Sequence, residues 1–108
     1  MPLGALRSVL TITPGQKIGY VTDAADTPSN REAIIGLVRG ADILYIEAAF
    51  AEADATLAAE RAHLTTKAAG EIAHAAGVRR AEPFHFSPRY EGQEEKMVTE
   101  FMAAFSGT

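Results

Sequence analysis

The run Asp42-Ile43-Leu44-Tyr45-Ile46-Glu47 most limits what this chain can fold into. Consecutive apolar side chains closed by an acid do not make one stripe of an amphipathic helix. They suit a strand buried on both faces. The segment in front of it has helical spacing over 30–39, with Ser29 or Asn30 as cap and Glu32 in the first turn. Ile34, Ile35, Leu37 and Val38 form its apolar side and Gly40 its stop. Lys17 to Thr22 precedes that helix and reads as another strand. Strand, helix and strand in that order imply parallel pairing through a right-handed crossover. Leu6 to Thr13 is rich in β-formers, and Pro14-Gly15-Gln16 is a turn signal. The first two strands therefore read as an antiparallel hairpin.

The second half continues the alternation. Ala51 to Arg61 is polar and Ala-rich, a short helix. Thr65 can cap a further helix that runs through Ala68, Ala69, Ile72 and Ala75 and stops at Gly77. Val78 to Phe86 reads as a strand, and Pro83 within it demands an edge position or a bulge. From Gln93 to Phe105, Met97, Val98, Phe101, Met102 and Phe105 recur at helical spacing. These are core positions of an amphipathic helix rather than cofactor contacts. No repeat is visible, and 108 residues make one small domain or part of a larger one.

Composition excludes several functions. The formal net charge of −4 argues against gripping nucleic acid by overall charge, although a local basic site remains open. With no cysteine, disulfides and thiolate metal sites are ruled out. No apolar run approaches the ~20 residues of a membrane span. Met1-Pro2-Leu3-Gly4 does not start a signal peptide, so a cytoplasmic location without membrane association is expected.

Chemistry-bearing residues fall where strands end. Asp23 closes the second strand and is followed by turn residues that include Asp26. It can present a carboxylate or bond its own backbone. Glu47 closes the apolar run and is either a loop hydrogen-bonder or a site residue; the structural role is preferred. His63 precedes a helix, where backbone N–H groups favour anions, whereas His74 lies inside that helix as a surface or partly packed residue. His85 sits where Phe84-His85-Phe86 breaks into Ser87-Pro88-Arg89-Tyr90. That geometry suits a ligand or catalytic group, although a lone histidine beside Phe84 and Phe86 is more often a packing residue.

Four segments in this order carry a resemblance. They are Gly19-Tyr20-Val21-Thr22-Asp23, Gly40-Ala41-Asp42-Ile43-Leu44-Tyr45-Ile46-Glu47-Ala48-Ala49-Phe50, His63-Leu64-Thr65-Thr66, and His85-Phe86-Ser87-Pro88-Arg89-Tyr90. Together, over about Lys17 to Phe105, the chain resembles the C-terminal half of a metallo-β-lactamase-fold hydrolase. Within that superfamily it is most similar to the ribonuclease Z branch. The resemblance implies an α/β unit, half of a four-layer αββα sandwich, with a mixed sheet and helices on its outer face. It also implies two zinc ions in the complete site, to which Asp23 and His85 would contribute, with Asp26 the alternative to Asp23. His63 would be catalytic, assisting proton transfer or orienting phosphate, and Ser87, Arg89 and Tyr90 would contact substrate. The implied activity is endonuclease cleavage of RNA phosphodiesters in tRNA 3′ processing.

The sequence also departs from the family. The first metal-binding motif, H-x-H-x-D-H, is absent from the 108 residues, and so is the separate histidine that usually follows it. Tyr45-Ile46 stands where a histidine often precedes the glutamate, and Leu64 replaces the usual serine. Asp23 and His85 cannot close a two-metal site, so the isolated chain is expected to be inactive, with weak zinc binding or none. Residues 1–108 are read as the C-terminal half-domain. Its open sheet face is to be covered by a missing N-terminal half or by a second copy, as in a homodimer. The alternative is a non-enzymatic α/β oligomerisation or interaction module with structural histidines.

Overall fold

A computed structural model describes residues 7–13 and 16–107. Four strands form one sheet in the order β1-β2-β3-β4: β1 Arg7–Thr13, β2 Gln16–Thr22, β3 Ile43–Glu47 and β4 Arg80–Phe84. β1 and β2 pair antiparallel, and β2, β3 and β4 run parallel. The hairpin and the β2–helix–β3 connection have the expected pairings, while the turn residues Pro14 and Gly15 lie outside the described residues. β4 is an edge strand, so Pro83 removes no ladder donor from a central position.

Four helices follow the periodic segments: α1 Pro28–Val38, α2 Ala55–Glu60, α3 Thr66–Ala76 and α4 Glu94–Phe105. Short 3₁₀ turns at Glu52–Asp54 and Pro88–Tyr90 complete the elements of the described residues. The cap of α1 differs from expectation. Thr27 is the N-cap and accepts the Asn30 N–H at 3.1 Å, and Pro28 opens the helix. Proline is preorganised for a first helical position, where its missing N–H costs nothing. Asn30 is instead a buried helical residue whose side chain donates to Ala25 O. Thr65 caps α3 and Gly77 ends it in the left-handed conformation, both as the sequence suggests.

The helices cover one face of the sheet. Val21, Leu44, Ile46 and Ala81 point from the strands into a core with Ile34 and Val38 of α1, Ala69, Ile72 and Ala73 of α3, and Phe101 of α4. The alternate strand positions face the other way. There Tyr20 and Tyr45 remain 42% and 37% exposed, with Tyr20 against the Phe84 ring at 5.1 Å. β3 is buried at four of its five residues, in keeping with the strand buried on both faces that its composition suggests, and it opens on the outer face only at Tyr45. A two-layer α/β unit with an aromatic sheet face turned outward is the result.

Candidate functional site

Because β2, β3 and β4 are parallel, their carboxyl ends lie along one edge of the sheet. Register then decides what meets there. Val21 pairs with Ile46 and Glu47 with Phe84, so the residues that end the three strands stand abreast. Asp23, Glu47 and His85 are those residues or their immediate successors. Loops at the carboxyl edge of parallel strands are free of the ladder and are the usual place for ligands in open α/β sheets.

Glu47 is the hub of this edge. It is 6% exposed, and a buried carboxylate persists only with partners. Its Oε1 accepts the backbone N–H of Asp23 at 2.8 Å, and its Oε2 takes a short hydrogen bond from His85 Nδ1. A carboxylate only accepts, so the Nδ1 of His85 carries the proton and Nε2 is the nitrogen left for a ligand. His63 Nδ1 lies 4.0 Å from Glu47 Oε1, buried and without a hydrogen-bond partner. The loop that carries His63 is joined to the segment just after β3 by a parallel bridge between Phe50 and Thr65.

Backbone strain gathers at the same place. The non-glycine residues with positive φ among those described are Asp23 at 53°, Ala62 at 57° and His85 at 62°. Two are the strand-end residues bonded to Glu47, and the third is next to His63. Left-handed backbone is unfavourable for residues with a Cβ and persists where surrounding contacts over-determine it.

A cleft of about 190 Å³ opens at this edge, lined in part by Glu47, Arg61, His63, His85, Phe86 and Ser87. The structure thus lines the cleft with His63, His85 and Ser87, and ties Asp23 to its edge through the backbone N–H on Glu47. Of the two other expected substrate contacts, it turns the Tyr90 hydroxyl away and leaves Arg89 at the rim. Tyr90 is 7% exposed; its hydroxyl accepts the Ala51 N–H at 3.0 Å and donates to Asp54 in a short bond. Burial, then the Asp54 bond, hold its phenol above the ordinary tyrosine value. Arg89 lies 3.6 Å from Asp54 and 5.8 Å above the Phe50 ring, on the flank of the cleft. Asp26, the alternative to Asp23, has both carboxylate oxygens on Arg31, at 2.6 and 3.0 Å. His74 is remote, with Nδ1 3.0 Å from Phe105 O.

Two residues of the site drew the wrong emphasis or none in the sequence. Glu47 was expected as a loop hydrogen-bonder; it is one, but its partners are the candidate site residues themselves. Arg61 offered no signal, because a charged residue near the end of a polar helix is ordinary there.

Asp23 and His85 offer one carboxylate and one imidazole, donors that zinc accepts, and Glu47 orients the imidazole as a metal-binding histidine requires. Among the described residues no group of three His, Cys, Asp or Glu side chains could hold a metal. The donors fit as part of a metal site rather than a whole one. No helix of the described residues is long and apolar enough to cross a membrane.

The β-lactamase superfamily domain model matches residues 5–86. The ribonuclease Z of Kineococcus radiotolerans is 43% identical over 90 residues, 83% of this chain and 27% of that protein. The ribonuclease Z of Thermobifida fusca is 43% identical over 97 residues, 89% of this chain and 29% of that protein. The chain thus spans under a third of the length of these curated relatives. The crystal structure of the short form of human tRNase Z superposes with a TM-score of 0.67 at 26% identity, over 76% of this chain and 31% of that one. The metallo-β-lactamase fold protein YhfI of Bacillus subtilis superposes with a TM-score of 0.78 at 21% identity, over 92% of this chain and 38% of that one.

Proposed function

Because the chain belongs to the β-lactamase superfamily domain family, we propose that it is the C-terminal portion of a metal-dependent, ribonuclease Z-like hydrolase that cleaves RNA phosphodiesters in tRNA 3′ processing. The observation that carries this reading is the convergence of Asp23, His63 and His85 on the buried carboxylate of Glu47. Structural histidines in an interaction module would have no reason to gather at one carboxylate beside strained backbone.

Asp23 and His85 would hold zinc, with the remaining ligands from an H-x-H-x-D-H segment in the N-terminal half. A pair of such ions supplies an activated water and charge stabilisation at the attacking and leaving oxygens of a phosphodiester. Glu47 keeps the proton of His85 on Nδ1, so Nε2 faces a ligand in the right tautomer. His63 lines the cleft beside Glu47 and would hold or deliver a proton at the substrate, or orient its phosphate. Ser87 lines the same cleft, and Arg89 at its rim has the fork that suits phosphate oxygens. Tyr90 contributes by holding the turn that carries them.

The covering partner is the N-terminal half or a second copy of the chain, seated on the face of Tyr20 and Tyr45. Grafting residues 17–105 in place of the matching segment of the Thermobifida fusca ribonuclease Z tests the whole reading. Zinc-dependent cleavage of a 3′-extended tRNA is expected, abolished by Asp23→Ala and by His85→Ala. Glu47→Gln should lower activity or zinc affinity by about 10–100-fold, as loss of a partner behind a metal ligand does. A folded chimera that cleaves no RNA would overturn the assignment.

A further inference from the structure

We propose that Glu100 of α4, acting with Glu52, is a positioning residue for His63 that clamps its loop through the hydroxyls of Thr66 and Thr65. The proposal rests on the reading of His63 as a group that works at the substrate. Its imidazole is not held through Nδ1, which is buried without a hydrogen-bond partner. No hydrogen bond fixes the ring through Nδ1, which stands 4.0 Å from Glu47 Oε1, so its placement depends on its backbone and on packing on Phe50, whose ring centre is 5.9 Å away. Upstream, the loop turns through Ala62 at φ 57°, and His63 N–H donates to Ala58 O at 2.9 Å. Downstream, it enters α3 through Thr65 and Thr66, which are 5% and 0% exposed.

Those two threonines do more than cap a helix. Thr65 Oγ1 accepts the Ala68 N–H at 3.0 Å, which is the capping bond, and also donates to Glu52 Oε1 at 2.7 Å. Thr66 Oγ1 donates to Glu100 Oε1 in a short bond, and the same oxygen accepts the Glu52 N–H at 2.9 Å. Thr66 N–H donates to Phe50 O at 2.8 Å. One carboxylate oxygen on α4 therefore ties together the loop after β3 and the start of α3, the two segments between which His63 lies. Negative charge at a helix N-terminus would be favourable anywhere in the first turn. Only this arrangement also closes the ring Glu100–Glu52–Thr65–Thr66 around the exit of the His63 loop.

The test reads imidazole ring ¹H–¹³C signals of the 108-residue chain at one fixed pH. The chain has three histidines, and His74, against Phe105 O, is remote from the clamp and serves as reference. Glu100→Ala should shift the His63 ring signals by more than a linewidth or split them into two sets, with His74 unmoved. Glu100→Gln keeps Oε1 as an acceptor for both bonds and should restore the original signals. Thr66→Val removes the hydroxyl at nearly constant volume, so it decides the matter if Glu100→Ala does not fold; it should reproduce the His63 change. His63 signals that stay in place in Thr66→Val, or a change in which His74 moves as far, would overturn the clamp. Neither result needs turnover, so loss of the clamp and loss of the hydrolase reading are told apart by this measurement and the chimera assay.

Discussion

Tyr90 bridges two half-buried groups with one oxygen, the Ala51 N–H and the Asp54 carboxylate. Tyr90→Phe leaves both without that partner and should cost about 1 kcal/mol in denaturant unfolding, since water can reach both groups. The difference from wild type should also depend on pH. The folded-state value of the phenol is raised, so its contribution is complete below the unfolded value of about 10 and is lost as pH rises through the folded one. Stability measured from pH 7 upward should show the two proteins converging only in that alkaline range. Ala62 makes the opposite case. Its φ of 57° is unfavourable with a Cβ, and Ala62→Gly should raise stability by about 1 kcal/mol. A loss of stability there would mean that the methyl group makes packing contacts that outweigh the strain.

Among the elements, α3 and α4 pack most closely, and Gly70 makes that possible. A Cβ at Gly70 would stand 2.5 Å from Phe101 O and 2.7 Å from the Ala104 Cβ. One of those neighbours is backbone and cannot swing aside. Gly70→Ala, which raises intrinsic helix propensity, should therefore destabilise by about 1–3 kcal/mol in thermal unfolding, because overpacking separates the helices. The pattern of small side chains in α3, among them Ala68, Ala69 and Ala73, permits close packing in general terms. It did not announce that a single glycine is the contact point, because that depends on which face of α4 arrives there. The helix limits are readable in the sequence to within a few residues, whereas the cap of α1 is the threonine in front of a proline rather than Ser29 or Asn30.

For the whole molecule, the sheet has one clothed face and one aromatic face. Covering a patch of a few hundred Å² at roughly 25 cal/mol per Å² is worth on the order of 10 kcal/mol. That is comparable with the entire stability of a small domain. The 108-residue chain should therefore sediment as a dimer at micromolar concentration, and Tyr45→Glu on the open face should shift it to monomer. A soluble wild-type monomer that binds no hydrophobic dye would show that the face is covered from within. Zinc belongs to the same scale, because its remaining ligands would come from the partner half. Calorimetry on the chain alone should find weak zinc binding or none, and tight one-to-one binding would reveal a ligand beyond Asp23 and His85.

The amino-acid sequence by itself determined the elements and their order. Period-3.6 and continuous apolar runs, capping threonines and terminal glycines are local signals, read within a window of about a dozen residues. It also placed Asp23 and His85 just past strand ends, because each follows an apolar run that breaks at once into turn residues. Only the tertiary structure made Glu47 their common partner, at separations of 24 and 38 residues, and sent the Tyr90 hydroxyl to Asp54 rather than to the cleft. It alone joined Glu100 to Thr66 across 34 residues. The physical reason is that strand register and helix packing decide which distant side chains meet. Both are set by the fit of the whole core, to which each residue contributes and which no single segment encodes.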